Sequence, residues 1–300
     1  MLSIKKYAAI DIGSNAIRLL ISNIIEEKGK PTRFKKSSLV RVPIRLGGDV
    51  FLKQKISEEN SSRIVDTMLA FKLLMRSHKV VKYKACATSA MREATNGKQI
   101  AALILEQTGI RIDIIEGEVE AAIIAATDLH SYIEKNKTYL YIDVGGGSTE
   151  FTVIHNGEPL ASKSFKVGTV RLLNDIVKKE TWKDVQGWIK RETKEYDAVD
   201  VIGSGGNINK IFKISRKAIG KPLTYFYLTT YYNMLQNYSY EERITELDLN
   251  QDRADVIIHA TRIYLSAMKW SGAKHIYVPK IGLADGIIKS IYYDTVSSNT

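Results

Sequence analysis

The chain has 300 residues and a formal charge of +11, with 44% hydrophobic and 26% charged residues. This length suits one large domain or two ordinary ones, and the composition is that of a soluble globular protein. No apolar run approaches the roughly 18 residues of a membrane span, and Asp11 interrupts the first apolar stretch, so we expect neither a membrane partner nor a secretory signal. The single cysteine, Cys86, allows no internal disulfide and predicts a cytoplasmic location, with the thiol in the core.

The positive charge is concentrated in the first part of the chain. Residues 1–123 carry 21 Lys and Arg against 13 Asp and Glu. A basic surface attracts polyanions such as nucleic acid, acidic lipid or a phosphate polymer, although solubility alone would also account for it. Because the chain has no arginine-rich tail or lysine block, we expect no nucleic-acid partner.

The first half of the chain alternates predicted strands and helices. Two apolar runs around Asp11 predict a strand hairpin over 7–21. Residues 57–79 carry apolar side chains at helical spacing after Ser57, which predicts a helix. The other predictions for this half are strands at 83–88 and 110–115 and helices at 97–109 and 119–127.

The second half repeats this plan, beginning with a second hairpin over 139–154. Helices are predicted at 171–177, 182–196, 252–270 and 287–293, strands at 198–202 and 276–278, and a polar, tyrosine-rich stretch with a helical patch at 223–245. The alternation predicts an α/β architecture in which helices flank mixed sheets. The repeated hairpin predicts two domains of like fold with a cleft between them and a hinge near 121–137.

Both hairpins have the residues of a phosphate-binding turn. A strand that ends in Asp-x-Gly and turns back exposes backbone N–H groups, which form an anion site. In the second hairpin Gly145, Gly146 and Gly147 allow a ligand to approach the backbone, and the hydroxyls of Ser148 and Thr149 can donate to phosphate.

Carboxylates accompany these turns. Asp143 and Glu150 suit Mg²⁺, which prefers a few carboxylates together with water and substrate phosphate. The role of Asp11 remains open between a metal or water ligand and a residue that caps the turn.

Three further groups have both a structural and a functional interpretation. The loop Gly203–Asn207 joins a strand to a helix and either binds an anion or simply caps the helix, and it is neither a Walker A loop nor a full G-x-G-x-x-G. Glu118 and Glu120 either start a helix or provide a general base for water. Arg18, Arg45 and Arg92 are surface charges or bidentate phosphate ligands.

Taken together, these motifs resemble the exopolyphosphatase/guanosine pentaphosphate phosphatase (Ppx/GppA) family, in the superfamily of actin, sugar kinases and the Hsp70 ATPase. The resemblance runs in family order across nearly the whole chain. The segments that carry it are Asp11–Arg18, Ala87–Asn96, Ile115–Ala121, Asp143–Glu150, Val167–Leu172, Gly203–Asn207 and Arg253–Val256.

The resemblance implies a role for each matching residue. Glu120 falls on the family's catalytic glutamate, which activates water, and Asp143 and Glu150 match residues that support Mg²⁺, with Mn²⁺ as an alternative and Asp11 as a further candidate. The expected phosphate ligands are Ser14, Asn15, Arg18, Arg92, Gly145, Gly146, Gly147, Ser148, Thr149, Gly205, Gly206 and Asn207.

The resemblance also implies an organisation. It predicts two actin-like (ribonuclease H-like) domains, 1–123 and 124–287, with a last helix at about 288–300 that packs back on the first. A homodimer is expected on the same ground.

The sequence departs from the family pattern at two places. Val119 replaces a glutamate beside Glu120, and Ala284-Asp285 replaces Arg-Glu in a Gly-Leu-Arg-Glu-Gly motif. The extra helical domains of longer members have no counterpart in these 300 residues, so processivity on long chains is not expected to follow theirs.

The resemblance leads us to expect Mg²⁺-dependent hydrolysis of the terminal phosphoanhydride of inorganic polyphosphate. Three alternatives remain open: hydrolysis of guanosine pentaphosphate, a polyphosphate or nucleotide sensor without activity, and an ATP-using kinase of the same superfamily. Glu120 within a phosphatase-type motif favours a hydrolase over the kinase.

Overall fold

The computed structural model describes residues 2–125, 127 and 133–297, so part of the predicted hinge at 121–137 lies outside the described residues. The strands are β1 Leu2–Ile12, β2 Ile17–Glu27, β3 Arg33–Val42, β4 Lys82–Ala87, β5 Ile112–Ile114, β6 Thr138–Val144, β7 Thr149–His155, β8 Glu158–Phe165, β9 Val199–Ser204, β10 Leu223–Thr224 and β11 His275–Tyr277. The helices are α1 Leu46–Lys53, α2 Glu58–Ser77, α3 Ser89–Glu93, α4 Gly97–Thr108, α5 Gly117–Ala125, α6 Thr169–Leu173, α7 Lys179–Thr193, α8 Gly206–Ile214, α9 Tyr225–Gln236, α10 Tyr240–Thr245, α11 Gln251–Ala254, α12 Ile257–Ser271 and α13 Leu283–Ser297.

The chain divides into two compact units. Unit 1 comprises Met1–Thr127 and Leu283–Thr300, and unit 2 comprises Asp128–Gly282. The sequence analysis placed the two boundaries at 123/124 and 287/288. None of the helices in the described part of the chain is both long enough and apolar enough to cross a membrane.

Unit 1 is built on a five-stranded mixed sheet with the order β3-β2-β1-β4-β5. The strands β1, β2 and β3 are antiparallel, whereas β4 and β5 run parallel to β1. Ala8, Ile10 and Ile12 alternate onto one face, where they join a core with Phe71 of α2 and Ile104 of α4. The helix α13 packs against β1, β2, β4 and α5.

Unit 2 has the same plan on a six-stranded sheet with the order β10-β11-β9-β6-β7-β8. The strands β6, β7 and β8 are antiparallel, and β9 and β11 extend the sheet in parallel with β6. Leu140 and Ile142 of β6 pack in a core with Trp188 of α7 and Tyr264 of α12. The predicted α/β class, with two mixed sheets flanked by helices, is therefore confirmed.

Most predicted elements are confirmed, and the main error is the long helix predicted at 252–270. That segment forms α11 and α12, separated at Asp255-Val256. Arg243 Nη1 donates to the carbonyl of Ala254 at 3.1 Å, so a side chain from α10 binds a carbonyl that a continuous helix would bond internally.

Three other predictions need correction. The helix predicted at 171–177 is α6, which ends at Leu173 because Asp175 is left-handed with φ 54°. The last helix extends over Leu283–Ser297 rather than 287–293, and the stretch at 223–245 holds two helices, α9 and α10. The sequence analysis missed β3, α1 and β8.

Candidate active-site residues in the two units

The two predicted hairpins have the same turn. In β1–β2 the N–H of Gly13 donates to the carbonyl of Ala16 at 3.2 Å, and in β6–β7 the N–H of Gly145 donates to the carbonyl of Ser148 at 3.0 Å. Each glycine follows its strand's aspartate by two positions. The two turns therefore correspond residue by residue, which confirms the repeat read from the sequence.

The turn of unit 1 is held by the start of α1. Gly47 N–H donates to the carbonyl of Ser14 at 2.8 Å, and Arg45 N–H donates to that of Asn15 at 3.0 Å. The buried Ser14 hydroxyl lies 3.2 Å from that of Ser89, at the start of α3. Ser14 and Asn15 are thus fixed by two neighbouring elements.

In unit 2 the start of α6 holds the glycine turn. Thr169 and Val170 donate their N–H groups to the carbonyls of Gly145 and Gly146 at 3.0 and 2.9 Å, and Arg171 Nε donates to the carbonyl of Gly147 at 2.7 Å. No backbone carbonyl of the described residues accepts from the N–H of Gly146 or Gly147. The carbonyls of Gly145, Gly146 and Gly147 all accept hydrogen bonds from α6, which fixes the backbone of the turn. The N–H groups of Gly146 and Gly147 can therefore bind an anion.

A glycine outside the predicted site makes this contact possible. A Cβ atom on Gly168 would lie 2.3 Å from the carbonyl oxygen of Gly146. Any other residue would push α6 away from the turn. The sequence motif contained Gly168, but nothing local to it indicated this contact.

The candidate metal ligands of unit 2 are neighbours across β6 and β7. Asp143 and Glu150 are register partners, and Ser204 and Ser164 flank them on β9 and β8. Glu150 is only 2% exposed, and its Oε1 accepts hydrogen bonds from the hydroxyls of Ser148 at 2.7 Å and Ser164 at 2.8 Å.

These residues fit a divalent cation. Two carboxylates placed opposite each other on antiparallel strands repel, and a bound cation would offset that repulsion. Oxygen ligands are those that Mg²⁺ prefers, and it usually takes only one or two carboxylates. In the described part of the chain, no group of three or more His, Cys, Asp or Glu side chains is placed to hold a metal.

The equivalent positions of unit 1 hold an ion pair. Arg18 Nη1 lies 3.4 Å from Asp11 Oδ2, and the two residues are register partners on β1 and β2. Burial raises the pKa of the Asp11 carboxyl, and the Arg18 charge opposes that rise. Asp11 therefore already has a cationic partner.

The glycine loop after β9 needs its glycine. Gly205 has φ 117°, and a Cβ atom there would lie 2.9 Å from the Val144 carbonyl oxygen and 3.5 Å from Asp143 Oδ1. The buried hydroxyl of Tyr264 donates to the Ser204 carbonyl. The loop is thus fixed beside Asp143, and α8 begins at Gly206, followed by Asn207. Nothing in the sequence indicated Tyr264.

Glu120 lies in the first turn of α5, and its Oε2 atom is buried. Arg92 holds the loop that precedes this helix, because its Nη1 donates to the Ile115 carbonyl and its Nε lies 3.6 Å from Glu116 Oε2. The neighbouring Val119 is 47% exposed. Arg92, predicted to bind phosphate, therefore contacts the loop that presents Glu120.

The buried thiol of Cys86 lies near these acids. Burial raises its pKa to about 12, with smaller contributions in the same direction from Asp113, Asp11 and Glu120. The core position predicted for Cys86 is confirmed.

The candidate residues of unit 1 all follow parallel strands. Because β1, β4 and β5 are parallel, the turn of Ser14, the helix α3 with Arg92 and the helix α5 with Glu120 follow strands that end at one edge of the sheet.

The Ala284-Asp285 departure lies in the first turn of α13. Ala284 is buried, and Asp285 forms an ion pair with Lys36 of β3 at 2.8 Å. In this chain Asp285 therefore anchors α13 to the sheet of unit 1.

The sequence comparisons define the family. The model of the Ppx/GppA phosphatase family matches residues 39–294, and the chain belongs to this family.

Curated relatives match parts of the chain. A bifunctional 3-dehydroquinate synthase/phosphatase of Fusobacterium nucleatum is 32% identical over 63% of this chain and 30% of its own length. Exopolyphosphatase 1 of Mycobacterium tuberculosis is 26% identical over 57% of this chain and 48% of its own length. A guanosine-5'-triphosphate,3'-diphosphate pyrophosphatase of Photobacterium profundum is 29% identical over 57% and 33%, respectively. The matches span less than half the length of these relatives.

Solved structures show the same fold. A Ppx/GppA family member from Aquifex aeolicus has a TM-score of 0.75 at 23% identity, covering 99% of this chain and 100% of its own. An exopolyphosphatase from Cytophaga hutchinsonii has a TM-score of 0.82 at 21% identity, with 97% and 98% covered.

Proposed function

We propose that the protein hydrolyses the terminal phosphoanhydride of inorganic polyphosphate in a Mg²⁺-dependent reaction that releases orthophosphate. The observation that carries this proposal is the glycine turn of unit 2, whose carbonyls are bound by α6 and whose N–H groups lie beside two carboxylates. Family membership and the name of the mycobacterial relative support the same activity.

In this proposal the loops bind phosphate oxygens. The turn Gly145–Thr149 supplies N–H groups and hydroxyls, and Gly205, Gly206 and Asn207 add the start of α8. In unit 1, Ser14 and Asn15 lie in the matching turn, and Arg18 supplies a positive charge that is 35% exposed. Preorganised donors of this kind stabilise the charge that develops on a transferred phosphoryl group.

Asp143 and Glu150 would hold the cation, with Mn²⁺ as an alternative to Mg²⁺. A bound divalent ion neutralises charge on the phosphate oxygens in the transition state. Asp11 stays a candidate ligand, although its ion pair with Arg18 gives it another role.

Glu120 would act as the general base. Its position in the first turn of α5, braced through Arg92 and the Ile115 carbonyl, orients the carboxylate that accepts a proton from the attacking water. Arg92 can make its predicted contact with phosphate only if its guanidinium donates both to the substrate and to the Ile115 carbonyl.

The variant Glu120→Gln tests this assignment. We expect phosphate release from polyphosphate to fall by about 10²–10⁴-fold, the usual contribution of a general base, while polyphosphate binding persists. The matched control is Glu118→Gln, because Glu118 is an exposed acid on the same helix turn. Activity near the wild-type level in Glu120→Gln would remove Glu120 from this role.

The second candidate is hydrolysis of guanosine pentaphosphate, which the name of the Photobacterium relative favours. Competition distinguishes the two. If polyphosphate is the preferred substrate, it should suppress nucleotide hydrolysis at concentrations near its own KM. Binding of either polyanion with no turnover would instead indicate a sensor. A cytoplasmic location and a homodimer remain predictions.

A further inference from the structure

The last helix contacts the backbone of α5 at a glycine. A Cβ atom on Gly286 would lie 2.3 Å from the carbonyl oxygen of Ile123 and 2.7 Å from its Cγ2. Real Cβ atoms do not approach a backbone oxygen so closely, so only glycine permits this contact. Gly286 therefore sets how near α13 lies to α5.

Ile123 is coupled to the proposed base by the geometry of the helix. Residues three apart are neighbours on the surface of an α-helix, so Ile123 lies one turn from Glu120, and both are partly buried. A displacement of the helix at Ile123 would move the Glu120 carboxylate with it. The helix is only nine residues long, which leaves few internal bonds to absorb a shift.

The other partner in this contact is held firmly. Asp285 pairs with Lys36 of β3, the Tyr292 hydroxyl donates to Glu26 Oε1 at 3.0 Å, and Lys82 Nζ donates to the Thr295 hydroxyl at 2.8 Å. Ile287 and Ile288 are buried against the unit. Because α13 contacts three strands whereas α5 has only nine residues, we expect a clash at Gly286 to be relieved by movement of α5.

We propose that Gly286 is a positioning residue that places Glu120 for catalysis through its contact with Ile123. This inference rests on the proposed function only for its kinetic consequence. The packing itself predicts that a side chain at 286 loosens or displaces α5. Ala284-Asp285, which departs from the family pattern, contributes to the same positioning of α5, because Asp285 anchors the helix that carries Gly286.

The test is Gly286→Ala, with phosphate release from polyphosphate as the kinetic readout. We expect kcat to fall about 100-fold, the cost of misplacing a catalytic group by about 1 Å, with KM changed by less than about twofold. The matched control is Gly187→Ala in α7, where a new Cβ would meet no atom within 4 Å, and its kcat should equal the wild-type value.

A second control separates positioning from stability. Ile104→Ala removes a buried side chain from the core of unit 1, so it should lower stability without changing kcat at temperatures where the protein stays folded. Hydrogen exchange supplies a readout independent of activity. In Gly286→Ala the amides of 117–125 should exchange faster, while those of α2 and α4 keep their wild-type rates.

The possible outcomes distinguish a failure of the positioning role of Gly286 from a failure of the proposed function. A wild-type kcat in Gly286→Ala, or a kcat loss matched by Ile104→Ala, overturns the positioning role. If the wild-type protein releases no phosphate, the proposed function fails. Exchange at 117–125 then decides the packing claim alone, and unchanged exchange there overturns it.

Discussion

The hairpins of the two units share a turn and a register but differ in charge at the residue pair one step before the strands end. In unit 1 the pair is Asp11 with Arg18, and in unit 2 it is Asp143 with Glu150. The Asp11 carboxylate has the Arg18 guanidinium beside it, whereas Asp143 and Glu150 place two carboxylates opposite each other, an arrangement that a bound cation would stabilise. The same hairpin plan therefore holds an ion pair in unit 1 and a candidate metal site in unit 2.

The helices behind the turns differ as well. In unit 2 the start of α6 touches the turn backbone, which requires Gly168. In unit 1 the position before α1 holds Arg45, a residue with a full side chain in the left-handed conformation at φ 64°. Both turns accept backbone hydrogen bonds from the start of the helix behind them, but only in unit 2 does the residue before that helix have to be glycine.

The largest expected effect distinguishes the two carboxylates Asp143 and Glu150 from the ion pair of Asp11 and Arg18. Glu150→Gln should lower phosphate release about 10³-fold and abolish most of its Mg²⁺ dependence, because metal stabilisation of a transition state is worth several kcal/mol. The matched change Arg18→Gln in unit 1 should raise KM and leave the Mg²⁺ dependence intact. Titration of the rate with Mg²⁺ measures both, and an unchanged Mg²⁺ response in Glu150→Gln would break the comparison.

A second, smaller effect concerns the packing behind the turns. Gly168→Ala should destabilise the protein by about 3 kcal/mol, because its Cβ would overlap the Gly146 carbonyl and force backbone movement. Arg45→Ala at the matching position should change the free energy of unfolding by less than about 1 kcal/mol. Urea unfolding of the two variants gives both values. Equal losses would show that the two turns are held alike.

The smallest expected effect is on the pH dependence of stability, to which His259 of unit 2 contributes. Burial lowers the pKa of His259 on α12, and the charges of Arg262 and Arg243 act in the same direction, while Asp255 opposes them. Below pH 6.5, the ordinary pKa of histidine, His259 therefore binds more protons in the unfolded chain than in the folded one. The contribution of His259 to the free energy of unfolding is present above pH 6.5 and is lost as the pH falls through the lowered pKa.

The variant His259→Gln should remove this contribution from unit 2. Between pH 7 and pH 5 the Tm of the wild-type protein should fall further than that of the variant. Thermal unfolding at several pH values measures the two slopes. Parallel slopes would mean that His259 does not set the acid response.

The parts of the fold that local pattern determines were predicted well. The helix predicted after Ser57 is α2, where the Ser57 side chain accepts from the Asn60 N–H, and the apolar spacing after it gives the buried face of that helix. The break at Asp255-Val256 was missed, and the Arg243 guanidinium that binds the Ala254 carbonyl at this break comes from another helix. Tertiary contacts of this kind leave no trace in the local sequence.

The candidate site divides in the same way. Asp-x-Gly turns and the Gly203–Asn207 loop could be identified because backbone freedom requires particular residues at particular positions. The roles of Gly168, Tyr264 and Gly286 depend on which backbone lies opposite them, and only the folded chain supplies that information.

Orthophosphate release from long-chain polyphosphate by the purified protein, with Mg²⁺ and with EDTA, tests the central claim most directly. The account predicts steady release with Mg²⁺ and almost none with EDTA. Release that is equal in both conditions would contradict the metal role of Asp143 and Glu150. A folded protein that releases none would contradict the proposed activity itself.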